Sequence, residues 1–285
     1  MPVFDAVFTA SGGQSFPMGY KAGVLYSIDP IGDLPVELET SQGYQQVGAT
    51  VESRSISGVS RTITGRILRD TARRKRQLRD IFAPGVTGRL TVDGKYYCDA
   101  EVQRCPAISA ATLWPTFSFQ LFCPNPYWHA VSQSSVTHFQ VTPTFRLPAC
   151  YSSHQYGLRL NTDNLRFYNN GLDTQDYVLT LTAQGDLTNP GVKDVATGEY
   201  LRFVTEMQEG DRIRFWREAG QVRIEQTIDD ASYNAMELLD ESSTLWTLRH
   251  GSQRWERTAD RGVDNLYLTL SYGAAYASLV AEVDP

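Results

Sequence analysis

The sequence lacks any apolar run that approaches the roughly 20 residues a membrane span needs. Its first twenty residues have no basic start, and Asp5 interrupts the apolar stretch there, so we expect neither a secretory signal nor membrane contact. Repeats of collagen or coiled-coil type are also missing. With 41% hydrophobic and 20% charged residues, the composition is that of a globular chain.

Cysteine and histidine are scarce, with four of each in 285 residues. No two cysteines form a Cys-x-x-Cys pair, which excludes zinc-knuckle and thioredoxin-like sites. Cys150 and His154 lie four residues apart, but a metal site needs three or four ligands. We therefore expect no metal, no cofactor and free thiols. Cys98 and Cys105 are spaced so that they could oppose each other across a hairpin.

Signatures of catalysis are absent as well. The chain has no phosphate-binding loop, Gly-x-Gly-x-x-Gly turn, His-Glu-x-x-His pair, nucleophile elbow or EF-hand loop. The adjacent carboxylates at 229–230 and 240–241 do not suit a glycosidase, which needs two acids facing each other across a cleft. We expect no catalytic residues and no enzymatic activity.

Charge is unevenly distributed. Residues 1–147 carry 14 Lys and Arg against 11 Asp and Glu, a net of +3, whereas residues 148–285 carry 12 against 21, a net of −9. A nucleic-acid-binding protein usually has a strong basic excess, so we expect no such partner. From Cys105 to Phe145 there is no Lys, Arg, Asp or Glu. This stretch suits either buried strands with uncharged loops or an interface that assembly covers.

Most of the chain has the alternating pattern of β-strands. Residues 112–123 place Phe117, Phe119, Leu121 and Cys123 on one face, and residues 176–184, 211–217 and 265–271 alternate in the same way. Residues 221–226 are expected to pair with 211–217 as a hairpin. Short strands separated by turn residues predict a mainly β fold with two β-sandwich-type domains.

One segment, at about residues 69–82, has the pattern of a helix. Leu68, Ala72, Leu78 and Phe82 fall near one face, and the residues Pro84 and Gly85 end the segment. The other face is basic, and we expect it to be exposed or at a seam between subunits rather than to bind DNA. Its arginines are Arg69, Arg73, Arg74, Arg76 and Arg79.

The polar, proline-containing segment near residues 130–150 marks the expected domain boundary. We assign residues 1–135 to a first domain containing the helix and residues 136–285 to a second domain.

A six-residue motif follows the strand at residues 112–123. It consists of Cys123, Pro124, Asn125, Pro126, Tyr127 and Trp128. The prolines cannot donate ladder hydrogen bonds, so they end the strand and fix its exit path. With the preceding strand at 57–68 and the arginine-rich helix, this succession resembles the first domain of the distal tail (Dit) proteins of long-tailed bacteriophages. In that family the motif closes the first domain, and we give it a structural role.

The second half resembles the second domain of the same family. The shared elements are Asn169-x-Gly171, Gly185, Asn189-Pro190, Thr197-Gly198-Glu199, Gly210-Asp211, Leu245-Trp246-Thr247-Leu248 and Gly251. The family often continues Gly-x-Asn, where this chain has Gly251-Ser252-Gln253. The resemblance covers about residues 1–272.

The resemblance implies a structural protein of the virion, assembled in the host bacterial cytoplasm. Six copies would form a head-to-tail ring at the tail tip through the first domain, which contacts the tail tube protein and the tail-tip hub (tail-associated) protein. The second domain, a galectin-like or carbohydrate-binding-module-like sandwich, would dock receptor-binding or baseplate proteins.

The alternative function is a carbohydrate-binding module that recognises host surface glycans. Its candidate contact residues are Trp216, Trp246 and Trp255, since exposed tryptophans stack on sugars. If these rings line an open groove the glycan hypothesis gains, and if they pack inside the domain it loses, because most large aromatic side chains are substantially buried.

Overall fold

The computed structural model describes residues 4–34, 36–137, 139–142, 158–161, 164–174, 176–218 and 221–279. Its contacts define two compact units, the first being Met1–Ser132 with Ala275–Pro285 and the second Gln133–Ala274. The expected division after residue 135 did not include this return of the chain to the first unit. Leu279 is buried in the first unit's core, and the Tyr276 ring lies edge-on to Tyr96 with centroids 5.6 Å apart.

The first unit contains one helix in its described part, α1 (Thr71–Ile81). Its strands are β1 (Ala6–Ala10), β2 (Ser15–Met18), β3 (Val24–Asp29), β4 (Glu37–Ser41), β5 (Thr50–Ser55), β6 (Val59–Ile67), β7 (Thr87–Val92), β8 (Tyr96–Ile108), β9 (Thr116–Cys123) and the beginning of β10 (Trp128–Thr137). Antiparallel pairs run in the order β2-β1-β7-β8-β9-β6-β3, and β10 also pairs with β8. Strands β4 and β5 form a separate two-stranded sheet.

Alternation along the strands builds the core of this unit. In β9 the residues Phe117, Phe119, Leu121 and Cys123 are all buried, as the period of two predicts. These side chains pack in one apolar cluster with those of β1, β6 and β7. Charge is absent from β9 because its alternate residues point into this core.

Helix α1 covers the core with a narrower apolar face than the sequence predicts. Its buried residues are Leu78 and Ile81, whereas Ala72 is exposed, so the assignment of Ala72 to the apolar face was wrong. The helix begins at Thr71, which leaves Arg69 outside it, and it ends before Phe82, whose ring centroid lies 4.8 Å from that of Phe8.

The strands of the second unit pair in two main sheets. The strands are β11 (Phe139–Thr142), β12 (Leu158–Asn161), β13 (Asn164–Asn169), β14 (Tyr177–Ala183), β15 (Leu187–Thr188), β16 (Gly191–Asp194), β17 (Tyr200–Arg202), β18 (Glu206–Met207), β19 (Arg212–Glu218), β20 (Gln221–Ile228), β21 (Ala231–Asn234), β22 (Gly251–Thr258) and β23 (Leu266–Tyr276). One sheet contains β23-β14-β19-β20-β21 and the other β13-β22-β16-β17. Short 3-10 helices occupy Met236–Leu238 and Val263–Asn265.

Buried side chains from both sheets meet in a single apolar cluster, the arrangement of a β-sandwich. The hairpin of β19 and β20 pairs Arg212 with Thr227 through Glu218 with Gln221, which confirms the predicted pairing. The structure therefore confirms a mainly β fold.

The position of Phe82 yields a test of the first unit's core. Phe82 is 1% exposed, and its ring centroid lies 4.2 Å from that of Phe119. We expect Phe82→Ala to lower the free energy of unfolding by about 3–5 kcal/mol, because it removes a large buried ring and leaves a cavity. Denaturant unfolding measures this loss, with exposed Arg73→Ala as the matched control. A loss no larger than that of the control would contradict the assigned packing.

Candidate functional site

The motif that follows β9 forms a turn between two buried positions. Cys123 ends β9 in the core, Pro124 and Asn125 are exposed, and Trp128 is buried where β10 begins. The side-chain oxygen of Asn125 accepts a hydrogen bond from the Tyr127 N–H at 3.2 Å. This contact holds the turn between the two strands.

A buried arginine that the sequence analysis missed binds this turn. Arg61 on β6 is fully buried, and its guanidinium donates hydrogen bonds to the carbonyl oxygens of Pro30, at 2.6 Å, and Pro126, at 2.7 Å. The guanidinium carbon lies 4.3 Å from the centroid of the Trp128 ring. Among the described residues no carboxylate forms an ion pair with Arg61, so carbonyl dipoles and the ring face stabilise its charge.

The Trp128 ring is also held through its indole nitrogen. Its indole N–H donates to the Ile31 carbonyl oxygen at 2.8 Å. The motif and residues 30–31 therefore meet through two side chains, Arg61 and Trp128. The hydrogen bonds of these two side chains to backbone carbonyl groups join the two segments, and the Arg61 guanidinium also interacts with the Cys123 thiol.

Two buried thiols lie in the same part of the core. The sulfurs of Cys98 and Cys123 are 3.7 Å apart, while Cys105 is exposed, and all three are free. The predicted opposition of Cys98 and Cys105 was wrong, because both lie on β8. The hydrogen bond to Cys123, together with burial, raises the pKa of the Cys98 thiol well above its usual value. Cys150 and His154 lie outside the described residues.

Removing Arg61 tests the importance of its contacts. We expect Arg61→Met to destabilise the protein by about 3 kcal/mol, because two charge-assisted hydrogen bonds are lost and two carbonyl groups lose their donors. Arg66→Ala, at an exposed position of the same strand, is the control and should change stability by less than ~0.5 kcal/mol. Chemical denaturation measures both variants. Equal stabilities of the two would show that Arg61 does not hold the turn.

Thiol burial gives a second test. In a Cys150→Ser background we expect one cysteine, Cys105, to react with a thiol reagent in the native protein, and three to react after unfolding. Burial keeps both core thiols away from the reagent, and the raised pKa of Cys98 lowers the reactivity of that thiol further. Stoichiometric labelling followed by mass spectrometry measures the count, and a further Cys105→Ser change should abolish native labelling. Labelling of Cys98 or Cys123 without unfolding would contradict the assigned burial.

The arginines of α1 are only partly exposed as the sequence predicts. Arg73, Arg76 and Arg79 are exposed, in agreement with a solvent-facing helix surface. Arg74 instead turns toward the unit and donates to the Ala22 carbonyl oxygen at 2.9 Å. Arg69 is exposed but precedes the helix.

Two of the candidate glycan-binding tryptophans lie inside the second unit. Trp255 is fully buried and Trp246 is 6% exposed, with their ring centroids 5.3 Å apart in an edge-to-face arrangement. Neither ring offers a face to an open groove, so both fit the structural interpretation. Trp216 is half-buried, and the Arg214 guanidinium lies 4.7 Å from its ring centroid, where it covers one face of the ring.

The described residues lack two further kinds of feature. They contain no group of three or more His, Cys, Asp or Glu side chains placed to hold a metal ion. None of their helices combines the length and apolar content that a bilayer crossing requires.

Comparison with solved structures identifies the fold. Over 95% of this chain and 98% of the other, the structure matches the Dit protein of phage SPP1, described as a paradigm of the hub adsorption apparatus in phages that infect Gram-positive hosts, with a TM-score of 0.66 and 10% sequence identity. A chain of the phage P2 baseplate in its activated conformation with Ca matches over 97% of this chain and 99% of the other, with a TM-score of 0.52 and 11% identity. The Dit-like fold expected from the motifs is thus confirmed for nearly the whole chain.

No protein-family model and no curated protein sequence matches the chain.

Proposed function

We propose that this protein is a structural component of a bacteriophage tail, located at the tail tip, where it forms the hub that carries the adsorption apparatus. The observation that carries the proposal is the match to SPP1 Dit across almost the full length of both chains. Because the match to SPP1 Dit includes both units, it supports a division of roles in which one unit serves assembly and the other serves attachment.

The assembled form is a closed ring of six copies joined through the first unit. This stoichiometry follows from the resemblance to distal tail proteins, and a head-to-tail contact repeated by rotation generates such a ring. The ring joins the tail tube protein to the tail-tip hub protein, and it assembles in the cytoplasm of the host bacterium. The role in this proposal is structural and non-enzymatic.

The second unit, a galectin-like sandwich in this proposal, docks receptor-binding or baseplate proteins. Direct binding of a host glycan is the alternative, and the burial of Trp246 and Trp255 counts against it. Trp216 is the one ring of the three with part of its surface accessible, so a glycan contact would have to use it.

Self-association tests the proposed function. Because ring closure is driven by concentration, we expect the purified protein to pass from monomer to a discrete species of six times 31.9 kDa. Light scattering across a concentration series measures the mass, and negative-stain imaging shows whether the particles are rings. If closure needs a partner, adding tail-tube or hub protein should produce the rings. A protein that stays monomeric under all these conditions, yet is retained on immobilised glycans, would favour the carbohydrate-binding module.

A further inference from the structure

The hairpin of β4 and β5, which we call the hairpin arm (Glu37–Ser55), has no packing partner among the described residues of its own unit. Every residue of both strands is exposed, and none belongs to the first unit's core. Large apolar side chains are nevertheless present, with Leu38 53% exposed and Tyr44 and Val47, at the tip, 95% and 101% exposed. A lone two-stranded hairpin is marginally stable in water, and exposed apolar patches often mark interaction sites. We therefore expect another surface to cover these side chains.

The hairpin arm is also acidic, since it contains three glutamates and one arginine. Register places Glu37 opposite Ser55 and Glu39 opposite Ser53, so both carboxylates lie on one face, while Leu38 and Arg54 lie on the other. Glu39 accepts a hydrogen bond from Ser53 within the arm. Its partner surface must therefore combine positive charge with apolar area.

A groove beside α1 has this combination. It has a volume of about 850 Å³, and we call it the arginine groove. Phe82, Pro84, Pro106 and Ile108 line its apolar part, and Lys75, Arg76 and Arg79 its basic part.

The positive charges of the arginine groove are not neutralised internally. Arg76 has no ion-pair partner among the described residues, and Arg79 contacts only the neighbouring Asp80, at 3.1 Å, with both side chains exposed. An exposed pair of this kind contributes little and remains open to exchange. Lys75 donates to the carbonyl oxygens of Ser109 and Ala111, which fixes the adjoining loop without cancelling the charge.

We propose that the hairpin arm of one copy binds in the arginine groove of the next copy. The arm is exposed along both strands in its own unit, so it does not occupy the groove of the same chain. Inserted between the two sides of the groove, the arm would present its glutamate face to Arg76 and Arg79 and its opposite face, with Leu38, to the apolar part of the groove. Because arm and groove are different surfaces, the contact is head-to-tail, as a ring requires. This inference rests on the proposed ring and names the surfaces that close it.

The exposed Cys105 lines the arginine groove and provides a direct probe of this contact. In a Cys150→Ser background, Leu38→Cys, Val47→Cys and Val51→Cys are introduced one at a time. We expect at least one of them to form an intermolecular disulfide with Cys105 under copper–phenanthroline oxidation, giving a ladder of covalent oligomers on denaturing gels. Val204→Cys, at an exposed position of the second unit, is the matched control and should give no ladder. A further Cys105→Ser change should remove the ladder.

Charge exchange tests the same contact independently. We expect Glu37→Arg/Glu39→Arg and Arg76→Glu/Arg79→Glu each to raise the concentration needed for assembly ~10-fold or more, because like charges then face each other. Combining the four changes should restore assembly. Glu209→Lys/Glu241→Lys, at exposed sites of the second unit, controls for net charge. Circular dichroism verifies that every variant is folded.

The outcomes separate this inference from the proposed function. Rings that form in the unaltered protein, are insensitive to both charge reversals and give no ladder with any of the three cysteines would overturn arm docking and leave the ring intact. A protein that never self-associates, with or without tail-tube and hub proteins, would overturn the ring and arm docking together. A ladder that requires Cys105, with assembly rescued by the combined charge exchange, supports both.

Discussion

The first unit depends on a positive charge held in its interior, for which the described residues supply no carboxylate partner. Arg61 is fully buried, yet it binds the carbonyl oxygens of Pro30 and Pro126 and lies over the ring of Trp128. Burying a charge is costly unless hydrogen bonds offset it, and here the two terminal nitrogens of Arg61 are bonded whereas Nε is not. The turn after β9 and residues 30–31 must therefore stay where their carbonyl groups can meet the guanidinium. These contacts hold the turn of residues 123–128, which connects β9 to the start of β10.

With its core fixed in this way, the first unit leaves two complementary surfaces to solvent. The hairpin arm is acidic with exposed apolar side chains, and the arginine groove is basic with an apolar lining. The hairpin arm contributes no residue to the core, whereas the groove is bounded at its base by the core residue Phe82. In the second unit the large aromatic side chains of Trp246 and Trp255 are instead buried in the interior of the sandwich. The features that suit assembly lie in the first unit, as the proposed ring requires.

Sequence patterns predicted those features that depend on neighbours along the chain. The period of two identified the buried face of β9 and the β19–β20 hairpin, and α1 begins two residues after its predicted start. The contacts of Arg61 join residues 31 and 65 positions apart, so no local pattern reveals them. The same limit explains the wrong pairing of Cys98 with Cys105, because β8 runs for 13 residues and carries both. The hairpin arm was not predicted, since each of its two strands has a single large apolar residue, Leu38 and Val51, which is too few for a period-two pattern.

The central claim, assembly through the first unit, is tested most directly by hydrogen–deuterium exchange of the full-length protein as monomer and as assembled particle. The account predicts new protection in peptides covering residues 37–55 and 71–84 when the particle forms, with exchange in the β-sandwich of the second unit unchanged. Protection confined to the second unit, with residues 37–55 exchanging equally in both states, would contradict it.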